Sequence, residues 1–199
     1  MIERLIILLL IAFQSLLTNA QEFRFGLYMR DTLKEIHQIN PTVIADKNVN
    51  ALFMPFFEKP TMTVYVDKRA AQITTDTNKP EFFFFMSNTK ESTSLSLSEL
   101  SSVIKNYPFI YAESAEDFIL VRLFDMKRGR AFRLEKEKVI YGANFKIFDE
   151  DKIEYNVIPI PEENAFKIEI NQSLPKGEYG FILNKPTPYD MVIYDFRIE

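Results

Sequence analysis

Four basic residues, Lys127, Arg128, Arg130 and Arg133, crowd into one short stretch of the chain. Guanidinium forks grip the oxygens of a phosphate or a uronate, so the four form a candidate anion-binding patch. The plainer reading is the solvated tip of a hairpin, where such charges contribute little. His37 is the only histidine. As a metal ligand it would have only carboxylates to join, because the chain has no cysteine. As the base of a triad it would need a nucleophile, and no Gly-x-Ser-x-Gly elbow is present. His37 therefore reads as a solvated or packed imidazole, and no metal or cofactor is expected. Asp149, Glu150 and Asp151 offer oxygens that suit Ca²⁺. They lack the Asp-x-Asp-x-Asp-Gly order of a calcium loop and read as a polar turn. The chain carries 28 acidic residues, so two carboxylates for glycoside hydrolysis exist, but no spacing singles out a pair. No catalytic residue is assigned.

The elements that would position these groups are short strands. Ala165 to Asn171 places Phe166, Ile168 and Ile170 on one face, and Tyr179 to Leu183 places Tyr179, Phe181 and Leu183 on one face. Period two over such runs marks half-buried strands. Between them lies Ser173 to Phe181, punctuated by Pro175 and Gly177. Proline presets its own φ and glycine tolerates φ > 0. Pro175, Gly177 and Tyr179 thus form a structural turn, a crossover folding one strand back on another, with Tyr179 entering the core.

Other stretches repeat this pattern. Phe23 to Arg30 is apolar, and Thr32 to Lys34 turns a hairpin after it in preference to a short helix capped by Asp31. Leu52 to Phe57, broken by Pro55, suits an edge or a bend. Thr61 to Val66 alternates, and Ala71 to Thr75 follows a charged turn. Phe82, Phe83, Phe84 and Phe85 leave no polar face, so their strand should be covered on both sides. Ser87 to Ser102 is polar and marks a long loop near 87–115, with Ser96 and Glu99 at capping-box spacing before a short helix through Leu100 to Lys105. Phe118 to Phe124 and Arg130 to Glu135 read as a hairpin with Phe132 and Leu134 inward. Val139 to Tyr141, Phe145 to Phe148, Ile153 to Ile158 and Met191 to Ile198 complete the series. Short strands at this spacing predict an all-β fold, an antiparallel β-sandwich of immunoglobulin-like or jelly-roll-like type, with at most one or two short helices.

Composition narrows the function. Hydrophobic residues are 47% of 199, with 19 Phe, which is enough for a core. The net charge is −4, and an acidic domain lacks the positive footprint that nucleic acid requires. Residues 1–20 read as a signal peptide. Arg4 precedes an apolar run from Leu5 to Phe13, Gln14 ends it, and Ala20 closes a cleavage site before Gln21. A spanning helix would need a longer run. Residues 21–199 are expected to form one β-sandwich domain, exported to the periplasm or secreted, with no transmembrane span once the signal is removed. Without cysteine its stability must come from packing.

The second half resembles a family of uncharacterised exported β-rich proteins of Gram-negative bacteria. The matching residues are Pro80 with Phe82 to Phe85, Glu116 to Leu123 with Lys127 to Arg130, Leu174 to Phe181, and Val192 to Phe196. The specific element is Gly177-Glu178-Tyr179, within a Leu-x-x-Gly-Glu-Tyr-Ala-Phe-type segment. The chain departs from that pattern at Gly180, where Ala is usual, and at Arg197, where Gly is usual. The resemblance implies export and a β-rich fold, and it carries over no catalytic residue.

Two functions follow as expectations. The first is a non-enzymatic protein of the cell envelope with a binding or assembly role, its partner an envelope protein or an anionic polymer. The alternative is a polysaccharide-acting glycoside hydrolase using two carboxylates. A cleft with two carboxyls about 5–10 Å apart would favour the enzyme.

Overall fold

The computed structural model describes residues 24–50, 61–67, 70–86, 97–127, 129–136, 145–184 and 192–199. The expected strands at Leu52 to Phe57 and Val139 to Tyr141, and the signal segment, lie outside them. Five strands form an antiparallel sheet: β1 (Gly26–Arg30), β2 (Ile36–Ile39), β6 (Glu81–Phe85), β11 (Tyr155–Ile160) and β12 (Ala165–Ile170), in the order β11-β12-β6-β1-β2. β1 and β2 form the expected hairpin, with Met29 opposite His37.

The second layer is not an open sheet. It contains β3 (Thr42–Asn50), β4 (Thr61–Val66), β7 (Phe118–Met126), β8 (Gly129–Lys136), β13 (Gly177–Leu183) and β14 (Val192–Ile198). These run in the order β7-β13-β14-β3-β4-β8, and β8 pairs back onto β7. Every pairing in this ring is antiparallel, so the six strands close a barrel. The antiparallel β-rich expectation holds, and the sandwich expectation is corrected. Closure removes the open edges that a sandwich layer would keep. A register shift between Ile44 and Asp46 marks where β3 passes from pairing with β14 to pairing with β4. Such a bulge bends a strand and helps it turn a corner. β5 (Ile73–Thr75) adds in parallel beside β14, β10 (Lys152–Ile153) beside β7, and β9 (Phe145–Ile147) beside β8.

Side-chain alternation sorts the core into two compartments. Odd positions of β13 and even positions of β14, including Tyr179, Phe181, Tyr194 and Phe196, face the five-stranded sheet and meet Leu27, Met29, Phe82, Phe84 and Ile168. The opposite parity fills the barrel with Val64, Val66, Val121, Leu123, Phe132, Leu134, Ile182 and Ile193. β13 is thus covered on both faces. The four phenylalanines of β6 behave as expected, since all are at most 5% exposed. Phe82 and Phe84 face the barrel and touch the Phe181 ring edge-on at 5.1 and 5.2 Å. Phe83 lies on the other face beneath the Arg30 guanidinium, 4.5 Å from its ring centre.

Among the described residues of the segment expected as a loop near 87–115, the short helix expected through Leu100 to Lys105 is present, and more of the segment is helical than that. Helix α1 (Leu97–Lys105) runs into a 3-10 turn at Tyr107–Ile110, and a second follows at Ala115–Asp117. The reason is apolar anchoring. Val103 and Phe109 are buried, and Phe109 packs against Phe25, Phe84, Phe118 and Tyr194. The predicted Ser96 cap lies outside the described residues.

The stretch from Ser173 to Phe181 carries the chain from one layer to the other. β12 pairs in the sheet with β11 and β6, while β13 pairs in the barrel with β7 and β14. The crossover expectation holds, with one correction: the two strands do not fold back on each other but sit in different layers. Gly177 opens β13 at φ +154, and the Tyr179 hydroxyl donates to the Pro175 carbonyl at 2.6 Å.

Gly180 points into the barrel, where a Cβ would lie 2.4 Å from both Cγ1 and Cδ1 of Ile193. Ile193 therefore fills the space that an alanine side chain at this position would use. Gly180→Ala should lower the urea-denaturation free energy by about 1–3 kcal/mol, as overpacking does. Adding Ile193→Ala should make the double variant less damaged than the sum of the two. Additive losses would mean that the two side chains do not compete for one space.

Candidate functional site

The end of the barrel where β13 begins and β14 ends is closed by a buried charge cluster. Arg130 lies on β8 two residues before Phe132, so strand alternation turns it inward with Phe132 and Leu134. Its side chain is 0% exposed. Its Nη1 donates to Glu178 Oε2 at 3.0 Å and to Asp195 Oδ2, and its Nη2 donates to the Asp67 carbonyl at 3.1 Å. The Thr42 hydroxyl donates to the other Asp195 oxygen at 2.6 Å, and the Ala71 N–H donates to Glu178 Oε2 at 3.2 Å. Two buried carboxylates thus share one guanidinium, and neutral donors engage them further. This is how a protein tolerates charge out of water.

Outside this cluster opens a groove of about 580 Å³. Its charged lining is Arg122, Asp125, Lys176, Glu178, Arg197 and Glu199. The pairing register explains their proximity. Glu178 is opposite Arg197 on β14 and Leu123 on β7, and Tyr179 is opposite Arg122. Arg197 Nη1 lies 3.8 Å from Glu178 Oε1 and its Nε lies 3.7 Å from Glu199. Among the described residues, no carboxylate forms an ion pair with Arg122 or Lys176.

The four residues of the expected anion patch are not brought together. Lys127 is exposed at the β7–β8 turn, and Arg128 lies outside the described residues. Arg130 is buried and faces the barrel interior, so it cannot join a surface patch. Arg133 is occupied: its Nη2 meets Asp151 at 2.8 Å and Glu150 at 3.0 Å, and its Nε meets Asp151 at 3.2 Å. It also lies over the rings of Phe124 and Phe148, at 4.9 and 5.1 Å. The fork from Asp151 pushes the Arg133 pKa up, with Glu150 adding to it. Two separate sequence candidates, the basic cluster and the acidic run, therefore partly satisfy each other. Asp149 completes the arrangement through Lys152 at 2.7 Å, and this hydrogen bond holds its carboxyl below the usual range. The acidic run forms a 3-10 turn, in keeping with the polar-turn reading.

His37 stands elsewhere, on β2 of the five-stranded sheet, with Nε2 at 2.8 Å from Asp31 Oδ2. Pro175, Gly177 and Tyr179 are placed together as expected, but Lys176 and Glu178 between them turn out to belong to the groove. Sequence reasoning missed Arg122, Glu178, Asp195 and Arg197. Alternation alone places Glu178 in phase with Ile182, and Asp195 in phase with Ile193, on the barrel's inner face.

No family model, curated protein or solved structure matches this chain. Among the described residues, no helix is long and apolar enough to cross a membrane.

Proposed function

We propose that the protein is an exported, non-enzymatic module of the cell envelope that binds an anionic polymer in the groove at the barrel end. The observation that carries this reading is the pair of exposed cations in the groove lining, Arg122 and Lys176, which have no carboxylate ion-pair partner among the described residues. Such cations can meet an anion without first having to break an internal ion pair. The buried carboxylate of the groove, Glu178, is already engaged by Arg130 and Ala71. It is not a free acid poised to protonate a leaving group, which weighs against the glycoside-hydrolase alternative. Asp125 and Glu199 lie exposed at the rim.

The test is titration calorimetry with two probes, an alginate oligomer and a polyphosphate oligomer, at two salt concentrations. The expected result is binding of at least one probe that weakens with salt and falls at least tenfold in Arg122→Ala/Lys176→Ala, with an unchanged melting temperature. Binding of neither probe, or equal binding by the double variant, would overturn the assignment. Cleavage of the alginate would overturn its non-enzymatic part.

A further inference from the structure

We infer that the tip of the β1–β2 hairpin is a binding site for a zinc-type divalent cation, with Asp31, Glu35 and His37 as its ligands. The site is separate from the barrel-end groove and does not depend on it. One donor atom from each of the three residues can be chosen such that all lie within 4.8 Å of one another. His37 Nε2 is 2.8 Å from Asp31 Oδ2 and 4.0 Å from Glu35 Oε2. The imidazole nitrogen therefore faces both carboxylates, in contrast to a chance cluster of acids alone.

The hairpin fixes this convergence. Asp31 N–H donates to the Glu35 carbonyl at 2.9 Å, and Lys34 N–H donates to the Asp31 carbonyl at 3.1 Å. Glu35 N–H donates to Asp31 Oδ1 at 2.8 Å. That last bond pins one carboxylate oxygen and leaves Oδ2 aimed at His37. Arg30, just before the tip, is directed away to Glu81 at 2.9 Å.

One nitrogen and two oxygens suit a borderline cation such as Zn²⁺, with the remaining position left for water. Zinc bonds to such ligands are about 2.0–2.2 Å long, so tetrahedral donors sit roughly 3.3 Å apart. The Asp31–His37 pair would open slightly and Glu35 would close slightly. Both changes are open to side chains this exposed, at 24% for Asp31, 46% for His37 and 69% for Glu35.

The experiment is titration of the full chain, carrying no histidine tag, with ZnCl₂ in calorimetry, and proton NMR of the single imidazole in parallel. The expected result is one Zn²⁺ per chain, displacement of the His37 ring resonances, and no competition from excess Mg²⁺. His37→Ala should weaken binding at least tenfold and Glu35→Gln severalfold. The melting curve of each variant in chelator should match the parent, because the tip is exposed. Unmoved imidazole resonances would overturn the site, as would Zn²⁺ affinity retained in His37→Ala. The NMR result decides the matter even if a variant fails to fold.

Discussion

Replacing Arg130 with Ala is expected to cost about 3–5 kcal/mol of folding stability, the loss typical when one member of a buried ion pair is removed. The guanidinium is 0% exposed and is shared by Glu178 and Asp195, whose side chains are 10% and 2% exposed. Without it, the two carboxylates keep the Thr42 hydroxyl, the Ala71 N–H and the half-exposed Arg197, 3.8 Å from Glu178, but lose the one buried cation they share. The size of the loss alone does not separate charge from packing, because Arg→Ala also leaves a cavity. The triple variant Arg130→Met/Glu178→Gln/Asp195→Asn separates them. Met restores much of the volume. The amide oxygens of Gln and Asn can still accept from Ala71 and Thr42. If uncompensated charge is the main cost, the triple variant should be more stable in urea melts than Arg130→Ala alone. If it is less stable, the guanidinium's packing and hydrogen bonds outweigh its charge. Lys127→Ala, four residues beyond Leu123, the last buried residue of β7, and itself exposed, should fall within about 0.5 kcal/mol.

Arg130 also shows what was legible in the sequence and what was not. The strand containing Phe132 and Leu134 was plain from its alternation, and the same parity carries Arg130 inward. Residue type argued the opposite, because arginine is rarely fully buried unless paired. Its partners lie far away in sequence, at Glu178 and Asp195, and no local pattern reveals such a pairing. The four phenylalanines of β6 were legible because a run with no polar face has only one stable environment. The closure of the barrel was not. It depends on β8 pairing with both β4 and β7, and strand patterns give existence and facing but not partners. The same limit explains the groove. Arg122, Lys176 and Arg197 are unremarkable singly, and only the β7-β13-β14 register sets them around one space.

Tyr179→Ala should be comparably damaging, at about 3–5 kcal/mol, the range for large aromatic truncations in a core. The ring is 1% exposed and stacks on Phe196 with centroids 5.6 Å apart and planes 22° apart. It lies at the layer boundary, where the chain has just crossed from the sheet, so its removal leaves a void between sheet and barrel rather than a pit at the surface. Tyr179→Phe keeps the ring and loses only the 2.6 Å bond to the Pro175 carbonyl. It should cost about 0.5–1.5 kcal/mol, the net worth of one such bond. Burial raises the Tyr179 phenol above its ordinary value, against a smaller opposing effect from Arg122. The unfolded phenol ionises near pH 10. The folded state resists that ionisation, so this contribution is intact below pH 10 and is lost as pH rises through the higher folded value. Urea melts from neutral pH to above pH 10 should therefore show a shallower alkaline decline for Tyr179→Phe than for the parent. Lys176→Ala, three residues away and in solvent, should leave stability within about 0.5 kcal/mol while weakening polymer binding. If Lys176→Ala unfolded the protein and Tyr179→Ala did not, the crossover would not be anchored by its aromatic residue. The division of this stretch into alternating core and groove positions would then fail with it.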